Sequence, residues 1–230
     1  RGKGILAADE SSGTIKKRFD SINVDSNEEN RRNYRETLFR STDAMENYIS
    51  GVILFDETIR QKSKDGTPLA EVISKSGSLP GIKVDTGAKD LTLNNGEKIT
   101  EGLDGLRDRL IEYYSLGARF AKWRAVITIG DDIPSDACIY SNAHALARYA
   151  SLCQHSGLVP IVEPEVLMDG DHDINKCYEV TAKVLTACYA ELKSHNVDLK
   201  GTLLKPNMVL PGTLSQNRSS TEEIAKMTLK

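Results

Sequence analysis

The chain has 230 residues, 39% of them hydrophobic and 27% charged, which is enough to build one sizeable hydrophobic core. A formal net charge of −3 at pH 7 excludes the basic excess that nucleic-acid or anionic-membrane binding requires. The longest apolar runs are of strand length, and the four cysteines show no Cys-x-x-Cys spacing. We therefore expect a single soluble domain with free thiols and a cytoplasmic location, and neither a nucleic-acid nor a membrane partner.

Strand and helix patterns alternate along the chain. Short apolar runs predict strands at residues 4–8, 51–55, 81–85, 120–127, 158–163 and 202–205. Helical spacing predicts helices at residues 103–116, 135–154 and 175–193, and capping boxes at residues 26–29 and 220–223 predict two more, the first running to about residue 40. Asp65-Gly66 and Asn95-Gly96 predict turns. Strands separated by helices in this way predict βα units and a parallel sheet.

Each predicted strand carries a polar residue at or near its carboxyl end. These residues are Asp9, Asp56, Lys83, Lys122, Glu163 and Lys205. In a (β/α)₈ TIM barrel that rim is catalytic, whereas an open doubly wound sheet binds ligands mainly at one switch point. No G-x-G-x-x-G motif follows the first strand to favour the open sheet. The pattern predicts an α/β fold of the (β/α)₈ barrel type, of which these residues supply about six strands.

A lysine interrupts the apolar stretch at residues 201–209, which we interpret as a buried strand. Burial disfavours the charged amine, and a neutral Lys205 would be a nucleophile toward carbonyl groups. The alternative is a strand-end lysine that reaches solvent. Alternation places Lys122 and Arg124 on one face of their strand, and Glu163 and Glu165 on one face of theirs. Such charges indicate a shared polar cavity, and a lysine with a neighbouring lysine and acid predicts a Schiff-base site.

Six stretches in order resemble class I (Schiff-base) fructose-bisphosphate aldolases over residues 2–211. They read KGILAADES at 3–11, GVILF at 51–55, GIKVD at 81–85, FAKWR at 120–124, VPIVEPE at 159–165 and GTLLKPNMV at 201–209. The resemblance implies an aldehyde-lyase that reversibly cleaves fructose 1,6-bisphosphate to dihydroxyacetone phosphate and glyceraldehyde 3-phosphate, without a cofactor or metal. It also implies a homotetramer, sugar-phosphate ligands and an additional scaffold role toward cytoskeletal or adhesin tails.

The resemblance also implies roles for the catalytic candidates. The lysine matching Lys205 attacks the substrate ketone, and the glutamate matching Glu163 relays protons and is the base for bond cleavage. Lys122 matches a lysine that favours the neutral amine and handles the carbinolamine hydroxyl. Asp9 matches an aspartate that positions the substrate, and Glu165 a carboxylate that supports the lysine cluster.

Phosphate binding in this family uses hydroxyl groups and a lysine, which match Ser11, Thr14 and Lys83, with Arg124 lining the cleft. We expect these residues to form one barrel domain that lacks an N-terminal segment, the last two βα units and the C-terminal tail. The second phosphate site and a C-terminal tyrosine are then expected outside residues 1–230.

Two alternatives stay open at this point. Deoxyribose-phosphate aldolases and transaldolases share the lysine chemistry, and the preference between a mono- and a bisphosphate substrate is undecided. A metal-dependent aldolase is disfavoured because no histidine pair has metal-ligand spacing. We interpret the acidic run at residues 169–173 as a solvated loop, and the charged run at 27–35 as a solvated helix face. Trp123, on the strand face opposite Lys122, is expected to pack against a helix.

Overall fold

The computed structural model describes residues 2–230, and these form two compact units. The first unit contains residues 2–84, 107–122 and 156–158. The second contains residues 85–106, 123–155 and 159–230. Among the described residues, no helix is both long and apolar enough to cross a bilayer.

The first unit is built on parallel strands in the order β1, β2, β3 and the start of β6. Their bounds are β1 Gly4–Ala8, β2 Ile49–Leu54, β3 Leu79–Lys83 and β6 Phe120–Ile127. Ala8 pairs with Leu54, and Ile82 pairs with Ala121, so the carboxyl ends of the strands lie at one edge. The helices of this part of the chain are α1 Ser12–Asp20, α2 Glu28–Phe39, α3 Thr42–Tyr48, α4 Asp56–Arg60, α5 Leu69–Lys75 and α6 Leu106–Ser115.

The second unit continues β6 and adds β7 (Val159–Val166) and β8 (Leu203–Leu204). β7 and β8 are parallel, with Ile161 opposite Leu203. An antiparallel hairpin joins β4 (Gly87–Asp90) to β5 (Lys98–Glu101). The helices are α7 Asp136–His155, α8 Ile174–Ser194 and α9 Thr221–Leu229, and a 3₁₀ turn spans Leu199–Gly201.

The six predicted strands are present, so the parallel α/β fold class is confirmed. The paired strands follow chain order once the hairpin is set aside, as in a (β/α) barrel and unlike a doubly wound sheet, where the order reverses. The four longest predicted helices are also present, within three residues at each end. The sequence did not predict α1, α3, α4 and α5, because helices of five to nine residues are too short to show a periodicity of 3.6. The strands of the hairpin were missed, although its Asn95-Gly96 turn was predicted.

Helix starts follow side-chain capping, with one correction. Ser220 caps α9 as predicted, since its Oγ accepts a hydrogen bond from the Glu223 backbone N–H at 3.1 Å. The predicted cap of α2 at Ser26 is wrong. Asn27 caps that helix, because its Oδ1 accepts from the Asn30 N–H at 2.8 Å. An asparagine at this position is as good a cap as serine, and the chain places it one residue later.

A glycine allows the strands of the first unit to approach an aromatic ring. A side-chain carbon at Gly81 would lie 2.3 Å from the ring of Phe120, which is itself buried. The ring therefore fills the space above β3 that a larger residue would occupy. β2 and β3 also contribute Val52, Ile53, Leu54 and Ile82 to the buried core.

The core of the second unit lies between β6, β7 and the long helices. Trp123 is fully buried beside Tyr149 of α7, with ring centroids 5.5 Å apart, which confirms that it packs against a helix. The Tyr149 hydroxyl donates to the Ile161 carbonyl at 3.1 Å. The four cysteines are free and buried, and burial raises the pKa of Cys138 to about 11.

The loop before α8 is only partly the solvated loop that the sequence predicts. Asp169, Asp171 and Asp173 are exposed, and Asp173 caps α8 by accepting from the Lys176 N–H at 2.8 Å. His172 is buried instead. Burial lowers the pKa of His172, and the neighbouring Asp171 opposes that shift only in part. The sequence analysis predicted an exposed His172 because its neighbours are acidic, and charge alone does not indicate burial.

Because its pKa is lowered, His172 is predicted to make the protein less stable in mild acid. In the unfolded chain an imidazole takes up a proton near pH 6.5, whereas the folded state resists protonation until a lower pH. The unfolded state therefore binds more protons below pH 6.5, and the free energy of unfolding falls. Urea unfolding at pH 7.5 and 5.5 should show a larger loss for the wild type than for His172→Gln. The matched control is His155→Gln at an exposed histidine, which should behave as the wild type. Equal losses in all three proteins would show that His172 is not responsible.

Candidate active site

In the first unit, a lysine and an aspartate meet at the carboxyl edge of the strands. Lys122 Nζ donates to Asp9 Oδ2 at 3.1 Å, and the two side chains are 8% and 12% exposed. Asp9 directly follows β1, and Lys122 on β6 lies opposite Lys83 of β3 in the strand register. β2 and β3 separate β1 from β6 in the strand order, so the Asp9 and Lys122 side chains meet across the common carboxyl edge of the strands and not through direct strand pairing. The result is an ion pair with little access to solvent.

A buried arginine, which the sequence analysis missed, holds the backbone next to Asp9. Arg35 of α2 is fully buried. Its Nη2 donates to the Glu10 carbonyl at 2.6 Å, and its Nη1 donates to Thr58 Oγ1 at 2.6 Å. Burial lowers the pKa of Arg35, and the Glu10 carboxylate counteracts this in part. The interpretation of residues 27–35 as a solvated face is therefore wrong for Arg35, because α2 turns this residue toward β1.

The predicted phosphate ligands of the first unit lie where β1 and β3 end. Ser11 caps α1, and its Oγ accepts from the Thr14 N–H at 3.4 Å. The hydroxyl oxygens of Ser11 and Thr14 are 3.1 Å apart. Lys83 is the last residue of β3. Two hydroxyl groups at the amino end of a helix form an arrangement suited to an anion, because the first N–H groups of a helix lack intrahelical partners.

In the second unit, Glu163 and Lys205 form a direct pair. The Glu163 side chain on β7 is 4% exposed, and its Oε1 accepts a hydrogen bond from Lys205 Nζ. Lys205 directly follows β8, and its backbone N–H donates to the Val162 carbonyl at 2.9 Å. Strand pairing therefore sets the lysine beside the acid.

The prediction that Lys205 lies inside a buried strand is wrong. β8 has only two residues, and Leu203 and Leu204 are 44% and 37% exposed. The Lys205 side chain is 48% exposed. Within residues 2–230, β8 is the last strand in the order and pairs on one side, with β7. In the part of the chain that the structure describes, Leu203 and Leu204 are therefore apolar without being buried. The Lys205 amine is held by the buried Glu163 carboxylate and not by apolar side chains.

An asparagine that the sequence analysis did not single out fixes the segment after Lys205. Asn207 Oδ1 accepts from the Val166 N–H at 3.2 Å, and Asn207 Nδ2 donates to Thr181 Oγ1 at 3.2 Å. This side chain connects the segment to β7 and to α8. The sequence did not predict this role, because an asparagine directly after a proline is also typical of an ordinary turn.

Arg124 and Glu165 pair with each other in the second unit. Arg124 Nε donates to Glu165 Oε2, and the Arg124 backbone N–H donates to Asp85 Oδ2 at 3.3 Å. The two side chains are 42% and 31% exposed. An arginine that is fixed by a carboxylate and still open to solvent is able to bind a second anion. Its expected role as a phosphate ligand stays a prediction, as does the support of the lysine cluster by Glu165.

Each unit therefore offers one lysine–carboxylate pair at the carboxyl ends of parallel strands. A primary amine beside a buried acid is the chemistry of Schiff-base enzymes, in which the acid carries the protons that imine formation and hydrolysis require. A parallel α/β sheet with charged side chains at the carboxyl ends of its strands is typical of a (β/α)-barrel enzyme.

Comparison with known proteins identifies the family. The family model for fructose-bisphosphate aldolase class-I matches residues 1–230. A probable fructose-bisphosphate aldolase class 1 of Xanthomonas campestris is 60% identical over 228 residues, which cover 99% of this chain and 68% of that protein. The cytosolic fructose-bisphosphate aldolase 4 of Arabidopsis thaliana is 58% identical over 229 residues, covering 100% of this chain and 58% of that protein. The chain belongs to the class-I fructose-bisphosphate aldolase family.

A solved structure has the same fold. The fructose-bisphosphate aldolase of Plasmodium falciparum, solved in complex with TRAP and a small-molecule inhibitor, superposes with a TM-score of 0.97 at 49% identity. The match covers 99% of this chain and 66% of that one. This confirms the expected fold, part of a (β/α)₈ barrel. The chain spans about three-fifths to two-thirds of the length of these relatives.

The Lys122–Asp9 pair is predicted to contribute strongly to stability. Asp9→Asn would replace one carboxylate that accepts from a nearly buried ammonium group by a neutral amide, which should lower the free energy of unfolding by about 1.5–3 kcal/mol. The matched control is Asp20→Asn, because Asp20 pairs with Lys16 at 2.7 Å with side chains 55% and 61% exposed. An exposed pair of this kind contributes at most about 1 kcal/mol. Urea unfolding of the two variants measures the difference, and equal losses would contradict the buried-pair interpretation.

Proposed function

We propose that the protein reversibly cleaves fructose 1,6-bisphosphate to dihydroxyacetone phosphate and glyceraldehyde 3-phosphate through an imine at Lys205. The observation that carries this proposal is the hydrogen bond between Lys205 Nζ and the buried Glu163 carboxylate, in a chain of the class-I aldolase family. The half-exposed amine is accessible to a substrate, and the buried acid lies at the atom where proton transfers are needed.

Imine formation is the first step. Neutral Lys205 Nζ attacks the C2 ketone, and its lone pair forms the new C–N bond while the C=O π pair moves to the oxygen, which takes up the proton that the nitrogen releases. Glu163 in its acid form then protonates the carbinolamine hydroxyl, which leaves as water, and a protonated imine remains. The family role of Lys122 is to favour the neutral amine by like-charge repulsion and to bind the departing hydroxyl.

Cleavage of the C3–C4 bond follows. The Glu163 carboxylate accepts the proton of the C4 hydroxyl, C4 becomes the aldehyde of glyceraldehyde 3-phosphate, and the bonding pair moves to C3. The protonated imine accepts these electrons and becomes an enamine. In the net reaction the proton taken from the C4 hydroxyl is returned to C3, and water then hydrolyses the imine, which releases dihydroxyacetone phosphate and the free amine. The imine serves as the electron sink, so the proposed reaction requires neither a metal nor a cofactor.

Substrate binding is assigned to four side chains, with Asp9 positioning the sugar hydroxyls. Ser11, Thr14 and Lys83 are proposed to hold one phosphate, and Arg124 to line the cleft. The hydroxyl pair at the start of α1 supports the first assignment. The hydrogen bond to Glu165 supports the second, because it holds the guanidinium in one orientation.

Lys205 is predicted to be the residue that sodium borohydride traps with dihydroxyacetone phosphate. Reduction converts the imine into a stable amine, so peptide mass spectrometry should find one reduced triose-phosphate adduct, on the peptide that contains Lys205. Lys205→Met should lose the adduct and at least about 1,000-fold of kcat/KM, since no other amine replaces the nucleophile.

The matched control is Lys200→Met, which removes an exposed lysine five residues earlier. This variant should keep both the adduct and the activity. An adduct on a different lysine would overturn the site assignment, and cleavage that survives Lys205→Met without any adduct would overturn the imine mechanism itself.

Location and assembly extend the proposal. We place the protein in the cytoplasm as a homotetramer that also binds cytoskeletal or adhesin tails. Support comes from the Arabidopsis relative, named cytosolic, and from the Plasmodium aldolase solved with TRAP. Native mass spectrometry, with and without a synthetic adhesin-tail peptide, should show four subunits and added peptide mass. A monomer would contradict the proposed homotetramer. A spectrum that the peptide leaves unchanged would contradict the proposed binding of adhesin tails.

A further inference from the structure

Two histidines that are distant in the sequence lie side by side on the surface of the second unit. His144 belongs to α7, and His195 directly follows α8. Their ring centroids are 4.9 Å apart at an interplanar angle of 69°. Glu191 of α8 lies next to both, with its Oε2 3.0 Å from His144 Nδ1 and 3.6 Å from His195 Nδ1. The packing of the two helices thus creates a cluster of two imidazoles and one carboxylate.

The spacing of this cluster fits a transition-metal ion. One ligand atom from each of the three side chains can be chosen so that all lie within 4.8 Å of one another. Two ligands at 2.0–2.1 Å from a tetrahedral zinc ion are about 3.3 Å apart. The separation of 3.0 Å between His144 and Glu191 is already close to this value. Small side-chain rotations would therefore bring all three ligands to bonding distance.

The backbone already orients one of the ligands. His195 Nδ1 lies 2.9 Å from the Glu191 carbonyl oxygen, and a carbonyl can only accept, so Nδ1 carries the proton in the neutral ring. Nε2 then presents its lone pair. A metal-bound histidine typically donates its other N–H to a carbonyl or carboxylate, which fixes both tautomer and ring plane. Because the 3.6 Å separation from Glu191 Oε2 also involves Nδ1, zinc binding requires the His195 ring to turn Nε2 toward the ion.

We propose that His144, Glu191 and His195 form a zinc-binding site that links α7 to the end of α8. Two neutral imidazoles and one carboxylate are a ligand set that zinc uses with a solvent molecule as fourth ligand. The three side chains are 53%, 29% and 26% exposed in that order, so an ion and a water molecule can reach them. The cysteines do not compete for zinc in the folded protein, because all four are buried.

Isothermal titration with zinc chloride tests the proposal on protein purified without a polyhistidine tag and treated with a chelator. The wild type should bind one zinc ion per chain with a Kd on the order of micromolar. His144→Gln, Glu191→Gln and His195→Asn should each weaken binding at least about tenfold. The matched control, His155→Gln, removes an exposed histidine of α7 outside the cluster and should bind as the wild type. Circular dichroism of each variant without zinc verifies that it is folded.

A second measurement reports on the helices themselves. Zinc that bridges α7 and α8 binds the folded state, so a saturating concentration should raise the Tm of the wild type and of His155→Gln by about 2 °C or more. The shift should vanish in His144→Gln. The proposal is overturned if the wild type shows no binding below about 1 mM, if the three cluster variants retain wild-type affinity, or if His155→Gln loses as much affinity as they do. The cluster would then be an ordinary set of histidine–carboxylate hydrogen bonds.

Discussion

A carboxylate that has almost no contact with solvent must have cationic or hydrogen-bonding partners, and Lys205 is one such partner of Glu163. Glu163 lies on the largely buried strand β7. Its side chain is only 4% exposed. The lysine is placed by pairing of β8 with β7 and by the backbone bond from Lys205 to Val162. Asn207 then anchors the following segment. The position of the Lys205 amine thus depends on strand pairing, on a desolvated acid and on Asn207.

The two lysine–carboxylate pairs differ in a way that matches their proposed roles. Lys122 and Asp9 are both nearly buried, whereas in the other pair the acid is buried and the amine of Lys205 is half-exposed. A nucleophile must be reached by its substrate, so an exposed amine is required, while a lysine that acts through its charge benefits from a low dielectric. The exposure values of Lys205 describe residues 2–230, in which β8 pairs only with β7.

Hydrophobic patterns in the sequence did not predict which polar side chains are buried or which of them contact each other. Arg35 lies in a helix dense with charge and is nevertheless fully buried, because the Glu10 carbonyl and Thr58 accept its N–H groups. His172 lies among three aspartates and is also buried. The histidine–glutamate cluster joins residues 47 positions apart, and no spacing along the chain indicates it. For Arg35 and His144, the partner comes from another element.

Local sequence was sufficient to determine the six parallel strands, the long helices, the α/β class and the family. Alternation, capping and motif order are properties of short stretches, and each strand places its polar residues by a fixed period of two. Tertiary structure alone decided which charges meet: Lys122 with Asp9, Lys205 with Glu163, and Arg124 with Glu165. It also decided that Arg35 is buried. Burial depends on what packs against a residue from elsewhere in the chain, and that information is absent from the residue's own neighbourhood.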